Sequence, residues 1–566
     1  MKVYMNIQYD LLQFYVYRKL IKKEDADTLL KEAKNHDVSV REYMLAKDIV
    51  TEKLELQALA DYYCMPFVEL DMLDIDRTLV DMFALDYLKR NKFIPVSIDK
   101  NGVLLLAVAR PLNVNAMSAI AAAYTGQIDT VLTPGNQIDL YIDSISAAVS
   151  TTEALSDLNS EKDSQLMSEL KSGVLDTGNA NEVVNNPQVR LVDSIIKEAI
   201  PYRASDIHIE PFKKNVRVRY RIDGDLQERA VFPIESYAAI SARIKILSGM
   251  DIAERRVPQD GRIGMNIGGK DFDFRVSSLP SVHGEKFVIR ILDKTSFHFT
   301  RADLGFTPEE NRVIDKMIVR PHGIVLLTGP TGCGKSTTLY SFLKEINDPK
   351  INIITVEDPV EYTMDGITQT QINTKSNMTF AATLRSIFRQ DPDVIMLGEI
   401  RDEETAEIAV RAAITGHLVF STLHTNDAPG AITRLVDMGV PDYLVADALT
   451  GVIAQRLVKQ LCPVCKKRGK TNAKEMEILG IDEPISIFRP QGCQFCNNTG
   501  YKGRIAVHEI MYMNDHMKNE FLVNKNLEDL RSLAEKNGMI SLWASCRELV
   551  VKGLTSTQEL MTLNSN

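Results

Sequence analysis

The run "GPTGCGKST" (329–337) has the residue types and spacing needed to hold a pyrophosphate. Gly329, four intervening residues, then Gly334, Lys335 and Ser336 fit the P-loop pattern. Glycines let the backbone wrap the phosphates and aim its N–H groups inward, and a helix starting there adds its positive end. The candidate nucleotide-binding set is Gly329, Pro330, Thr331, Gly332, Cys333, Gly334, Lys335, Ser336 and Thr337. Lys335 would neutralise the β- and γ-phosphates, and Ser336 would give an oxygen to Mg²⁺. An apolar run, "GIVLLT", precedes the loop and a helix-like run, "KSTTLY", opens at its end. That context separates a nucleotide site from an ordinary glycine-rich turn.

Hydrolysis also needs carboxylates to hold Mg²⁺ and orient water. "QDPDVIMLGEIRD" is an apolar strand ending at Glu399, the natural acid on the Mg²⁺ side; Asp393 opens the strand, too far away for chemistry. "TVEDPVEY" carries Glu357, Asp358 and Glu361. One such acid alone is usually an exposed turn residue, but two clusters on strands of one sheet point to catalysis. "TGHLVFSTLH" puts His417 and His424 at either end of a buried strand. Strand-end histidines are commonly structural; His424, before a polar turn, is placed to sense a γ-phosphate.

Two C-x-x-C pairs, Cys462/Cys465 and Cys493/Cys496, are separated by 27 residues. Disulfide, redox and metal readings all fit such pairs. In a reducing compartment the metal reading is favoured, as a filled tetrahedral Zn²⁺ site of structural type. Cys64, Cys333 and Cys546 stand alone.

The elements that must position these residues follow from the pattern along the chain. With 566 residues, three or four domains are expected. Residues 1–150 mix amphipathic helices, such as "EKLELQALADYYC" with Leu56, Leu59 and Tyr63 on one face, and a hairpin in "FIPVSIDKNGVLLLAVA". Residues 151–186 hold seven acids, two bases and no aromatic residue, and are expected to form a flexible linker. From 187 to 296 a helix is followed by strands; "NVRVRYRID" turns Val216, Val218, Tyr220 and Ile222 inward and Arg217, Arg219 and Arg221 outward. From 297 to 566 apolar strands alternate with helices, which predicts a mostly parallel sheet. Within it, 457–510 is expected to be a cysteine-bearing arm and 511–566 a helical tail.

The net charge of 66 − 76 = −10 speaks against non-specific nucleic-acid binding. No run approaches the ~18 apolar residues of a membrane span, and no secretory signal is visible at "MKVYMNIQYDLLQFYVYRKLIKK". The sequence therefore predicts a cytosolic protein touching the membrane only peripherally.

The motifs together resemble the bacterial secretion ATPase family, which serves type II secretion and type IV pilus assembly. "GPTGCGKSTTLY", "ITVEDPVEY", "LRSIFRQDPDVIMLGEIRDEETAEIAVRAAITGHLVFSTLHTNDA" and "RIKILSGMDIAERRVPQDGRI" look like its Walker A, Asp box, Walker B with His box, and linker-domain signatures. The resemblance covers about 185–566 and implies an α/β fold. A RecA-like P-loop ATPase domain would follow a PAS-like α+β domain and a small α+β N-terminal domain, with a zinc-binding tetracysteine insertion. It implies a Mg²⁺-dependent ATPase working as a ring homo-hexamer, with ATP between the ATPase and PAS-like domains. Glu399 matches the Walker B glutamate, for Mg²⁺ and water positioning, and Glu361 the Asp-box glutamate, the candidate base. His417 and His424 match the His box. Arg275 and Arg290 match positions that reach the phosphates, and Arg504 matches a third nucleotide contact. The cysteine pairs match the assembly branch. Implied partners are an inner-membrane platform protein and an accessory docking protein.

Some positions depart from the family pattern. Cys333 stands where Ser is common. In the N-terminal region "REY" (41–43) replaces an "RLG" start, Lys47-Asp48 replaces a Gly, and Arg110 stands where an acid is usual. These speak against cyclic-di-GMP binding and for partner docking. Three classes compete: a mechanochemical ATPase driving pilin or pseudopilin assembly, with pilus extension favoured; a nucleic-acid motor; and a signal-binding scaffold. The charge argues against the second, and intact Lys335, Ser336, Glu361 and Glu399 against the third.

Overall fold

Every residue of "GIVLLT" is buried, as a strand covered on both faces requires. The computed structural model containing it describes residues 12–146 and 187–563, apart from 19, 36–38, 48, 51, 144, 268–269, 294–299, 374–375 and 524–525. The linker expected at 151–186 lies outside the described residues. Contacts divide the chain into two units, one ending at Asp293 and the other beginning at Lys294.

In the first unit, helices Lys23–Asn35, Val40–Ala46 and Glu52–Tyr63 enclose a small core that includes Leu12, Leu29 and Met44. Leu56 and Leu59 are buried, whereas Tyr63, at the helix end, is 40% exposed. The hairpin forms between β1 (Phe93–Ile98) and β2 (Val103–Val108). Asp99 Oδ1 caps its turn by accepting from the N–H groups of Asn101 and Val103 at 2.8 Å each. Helix Val114–Ala123 then crosses over to β3 (Gln127–Leu132), parallel to β2.

A second, wholly antiparallel sheet has the order β6-β5-β4-β9-β8-β7. Its strands are β4 (Asp206–Pro211), β5 (Asn215–Ile222), β6 (Asp225–Pro233), β7 (Gln259–Ile267), β8 (Lys270–Ser281) and β9 (Gly284–Asp293). Val216, Val218, Tyr220 and Ile222 enter the core, the alternation expected of a half-buried strand. Arg217, Arg219 and Arg221 point the other way but are not simply solvated. Arg217 and Arg219 hold Glu210, joined by Lys286, and Arg221 faces Asp206. Burial pushes the Glu210 carboxyl up, but Arg219 and Lys286 outweigh it and hold it at about 2.

The second unit is built on a sheet of order β12-β11-β13-β14-β10-β15-β18. The strands are β10 (Gly323–Thr328), β11 (Ile353–Glu357), β12 (Thr368–Gln371), β13 (Val394–Leu397), β14 (Leu418–Leu423), β15 (Leu449–Leu461) and β18 (Tyr501–Tyr512). All neighbours are parallel except β15 and β18. Alternate residues of β10 feed two cores: Ile324 and Leu326 one, Val325 and Leu327 the other. The stretch 457–510 is less separate than an arm. β15 and β18 continue the main sheet into it, and only the short ribbon β16 (Lys467–Lys470) and β17 (Ser486–Arg489) forms its own sheet. The helical tail docks back: Leu530, Cys546 and Leu560 join the main core, and Leu461 N–H donates to Leu554 O at 2.8 Å.

Candidate nucleotide-binding site

β10 runs into the 329–334 loop, and helix Lys335–Ile346 starts directly after it. Gly334 caps that helix at φ +90°, where a side chain would be strained. At Gly329 a Cβ would lie 2.4 Å from Gln455 O and 2.7 Å from Cys333 Sγ, so only glycine fits. Lys335 is buried, and its Nζ donates to Gly329 O at 2.7 Å and Pro330 O at 3.1 Å. Burial lowers its pKa below the usual lysine value. Pro330, Thr331 and Ser336 are exposed, which leaves the Ser336 hydroxyl accessible. Burial raises the Cys333 thiol, the opposite of what a reactive thiolate needs.

Two residues behind the loop carry no motif. On β15, Gln455 Nε2 donates to Cys333 O at 2.8 Å, while its Oε1 accepts from Thr338 Oγ1 at 2.8 Å. Arg456 Nη2 donates to Asn426 O at 2.7 Å. The sequence signal was a Gln-Arg pair interrupting the apolar run "LTGVIAQRLV". A second tie joins Thr328, at the end of β10, to Thr425, whose N–H donates to Thr328 Oγ1 at 2.8 Å.

Glu399 lies two residues past β13. Its Oε2 is 3.4 Å from His424 Nε2, and its Oε1 is paired with Arg401. Arg401 also reaches Asp358 at 3.8 Å, bridging the two acid clusters. Glu399 acts electrostatically on Lys335, so this carboxylate and the P-loop cation share one region. Glu357 is engaged otherwise: it is buried and accepts from Tyr340, Thr355 Oγ1 (2.6 Å) and Gln369 Nε2 (3.2 Å). Glu361 is half-buried, and its N–H donates to Tyr340 Oη at 3.2 Å. His417 is not brought to this group. It precedes β14 at the end opposite His424, with Nδ1 3.0 Å from Ala412 O.

Arg275 and Arg290 are cross-strand neighbours on β8 and β9 in the first unit. Arg290 Nε donates to Asp206 Oδ1 at 3.1 Å. Arg504 is exposed on β18, opposite Lys459 of β15.

The four sulfurs of Cys462, Cys465, Cys493 and Cys496 lie within 4.8 Å of one another. The separations are 3.9 Å for Cys462–Cys493, 3.8 Å for Cys465–Cys496 and 3.7 Å for Cys493–Cys496. A tetrahedron of Zn–S bonds near 2.3 Å requires S···S edges of about 3.8 Å, so the donor set fits Zn²⁺. Backbone N–H groups of Gly492 and Gly500 point at the Cys465 and Cys496 sulfurs, at 3.3 and 3.2 Å. Cys462 directly follows β15, and Cys496 lies five residues before β18.

A parallel sheet whose interior strand runs into a P-loop, with carboxylates at neighbouring strand ends, defines a P-loop ATPase. A family model described as "Type II/IV secretion system protein" matches residues 181–562, and one described as "MshEN domain" matches 63–151. The chain belongs to the type II/IV secretion system protein family, and it is an ATPase. It is 36% identical to the type IV pilus assembly ATPase PilB of Myxococcus xanthus over 567 residues, covering 97% of this chain and 98% of that protein. It is 48% identical to the type II secretion system protein E of Pseudomonas aeruginosa over 377 residues, covering 66% of this chain and 75% of that protein. The solved ATPase DotB of Yersinia pseudotuberculosis shares the fold, with TM-score 0.50, 20% identity, and 67% of this chain and 94% of that chain covered.

Proposed function

We propose that this chain works as a homo-hexamer coupling ATP hydrolysis to the assembly of pilin subunits through an inner-membrane platform protein, in type IV pilus extension. The observation that carries the reading is the end-to-end match to a pilus assembly ATPase, N-terminal region included. A type II secretion role, assembling pseudopilins, is the second reading. It is favoured by the higher identity, 48%, over the shared two thirds of the chain. The protein sits in the cytoplasm, peripherally at the inner membrane; among the described residues no helix is long and apolar enough to cross one.

In the site, phosphate oxygens replace the loop carbonyls on Lys335. Ser336 and Glu399 hold Mg²⁺, which supplies charge neutralisation on the phosphates. Glu361 is the candidate base, and His424 adjusts Glu399. Arg275, Arg290 and Arg504 are the phosphate-directed arginines supplied from outside the P-loop. The four cysteines hold a structural Zn²⁺ that ties the ends of β15 and β18 together. An accessory docking protein engages the N-terminal region.

ATPase rates measured alone, with the platform protein's cytoplasmic domain and with single-stranded DNA test this directly. Stimulation by the platform domain is expected, whereas stimulation by DNA alone would overturn the reading. Deleting the gene separates the two systems: loss of pili with secretion intact is expected, and the converse assigns type II secretion.

A further inference from the structure

Arg456 is 8% exposed in the middle of β15. Its guanidinium meets only neutral amide oxygens: Gln455 O at 3.1 Å, Asn426 O at 2.7 Å and Asn426 Oδ1 at 3.4 Å. Among the described residues it takes part in no ion pair. The acids that act on it electrostatically are committed elsewhere. Glu509 accepts from the N–H groups of Ala428 and Leu542, and Asp427 caps helix Ala428–Asp437 and pairs with Arg531. Burial lowers the Arg456 pKa accordingly.

A buried cation with no carboxylate in contact is costly, and three neutral acceptors do not require one. A glutamine could serve carbonyl oxygens without the desolvation. What distinguishes the position is its neighbour. Arg456 Nη1 lies 3.0 Å from the point a Gly329 Cβ would occupy, so the charge is against the back of the P-loop. Lys335, the other buried cation there, is likewise held by carbonyls. Burial lowers the Lys335 pKa, Cys333 and Glu399 oppose that lowering, and Arg456 adds a smaller contribution in the same direction as burial. Two buried cations around one loop favour a polyanion.

We infer that Arg456 is a further phosphate-directed charge of this site, the second one buried against the P-loop itself. It is a positioning residue that strengthens nucleotide binding from behind the P-loop and ties the loop to the segment carrying His424. This rests on the nucleotide site proposed above. The tie is geometric. Asn426 lies two residues past His424, and Thr425, between them, is bonded to Thr328 at the end of β10. The guanidinium therefore spans the turn that follows the P-loop strand and the turn that follows β14.

The test uses the full-length protein with Arg456→Gln and Arg456→Lys. It reads ADP affinity by fluorescence titration, KM and kcat for MgATP, and nucleotide-free Tm. One unit charge near a polyanion, at an effective dielectric of about 20, changes affinity by about tenfold or more. Arg456→Gln is expected to weaken ADP and raise KM by about that factor. Arg456→Lys keeps the charge without the planar fork and is expected to stay within about threefold of wild type. Wild-type affinity in folded Arg456→Gln, whatever its Tm, makes the residue a packing clamp and overturns the inference. So does a tenfold loss in Arg456→Lys, which also stands as the test if the glutamine variant does not fold. A wild-type chain that neither binds nor hydrolyses ATP overturns the proposed function instead.

Discussion

Replacing Tyr340 by Phe tests how the P-loop helix is fastened to the acid-bearing strand. Tyr340 lies on helix Lys335–Ile346, almost fully buried. Its hydroxyl donates to Glu357 Oε2, while Thr355 and Gln369 both donate to Oε1. Phe therefore strips a buried carboxylate oxygen of its tyrosine donor and deprives the Glu361 N–H of its acceptor. A hydrogen bond to a charged group contributes about 1.5–3 kcal/mol. At about 2–4 °C per kcal/mol for a unit of this size, Tm should fall by about 3–12 °C. The pH dependence has a definite sign. Burial raises the Glu357 carboxyl above its ordinary value, and the hydrogen bonds from Thr355, Tyr340 and Gln369 oppose the rise. Removing one of them raises it further. A carboxyl raised in the folded state costs nothing below its unfolded pKa, where both states are protonated. The full cost appears once pH exceeds the folded pKa. The Tm gap between wild type and variant should therefore widen from about pH 4 towards neutrality. Thermal melts across pH measure it. A gap of constant size, or none, refutes the assignment of Tyr340 as the donor that keeps Glu357 ionisable.

Glu399→Gln should keep ATP binding and lose turnover by about a hundredfold or more; full turnover in a steady-state assay would remove Glu399 from the chemistry. A Cys462→Ser/Cys493→Ser variant should lose one zinc per chain by elemental analysis. It should also melt lower and turn ATP over more slowly, because metal binding contributes folding free energy to the ends of β15 and β18. A metal-free wild type as stable and active as any preparation would end the zinc proposal. Adding cyclic-di-GMP should leave Tm unchanged, and a concentration-dependent rise would assign the N-terminal region a nucleotide ligand.

The P-loop, the two acid clusters and the cysteine pairs were legible from the chain alone because their requirements are local. Glycines at fixed offsets permit the wrap, a strand-to-helix switch aims the N–H groups, and two residues between cysteines let both sulfurs of a pair face one point. The alternation at 215–222 was equally local, and its inward residues are buried in the structure. What tertiary structure decided lies between residues distant in sequence. Gln455 holds Cys333 across 122 positions because β15 is the neighbour of β10 in the sheet. His424 meets Glu399 because β13 and β14 pair, and the same parallel register leaves His417 at the far end. Glu357 and Glu361 look alike in sequence, yet burial against Tyr340 makes one a buried tether. The cysteine segment reads as an insertion, yet β15 and β18 carry the main sheet into it. Strand order is chosen by the burial of two whole cores, to which every strand of the main sheet except the edge strand β12 contributes, and no local spacing encodes that choice.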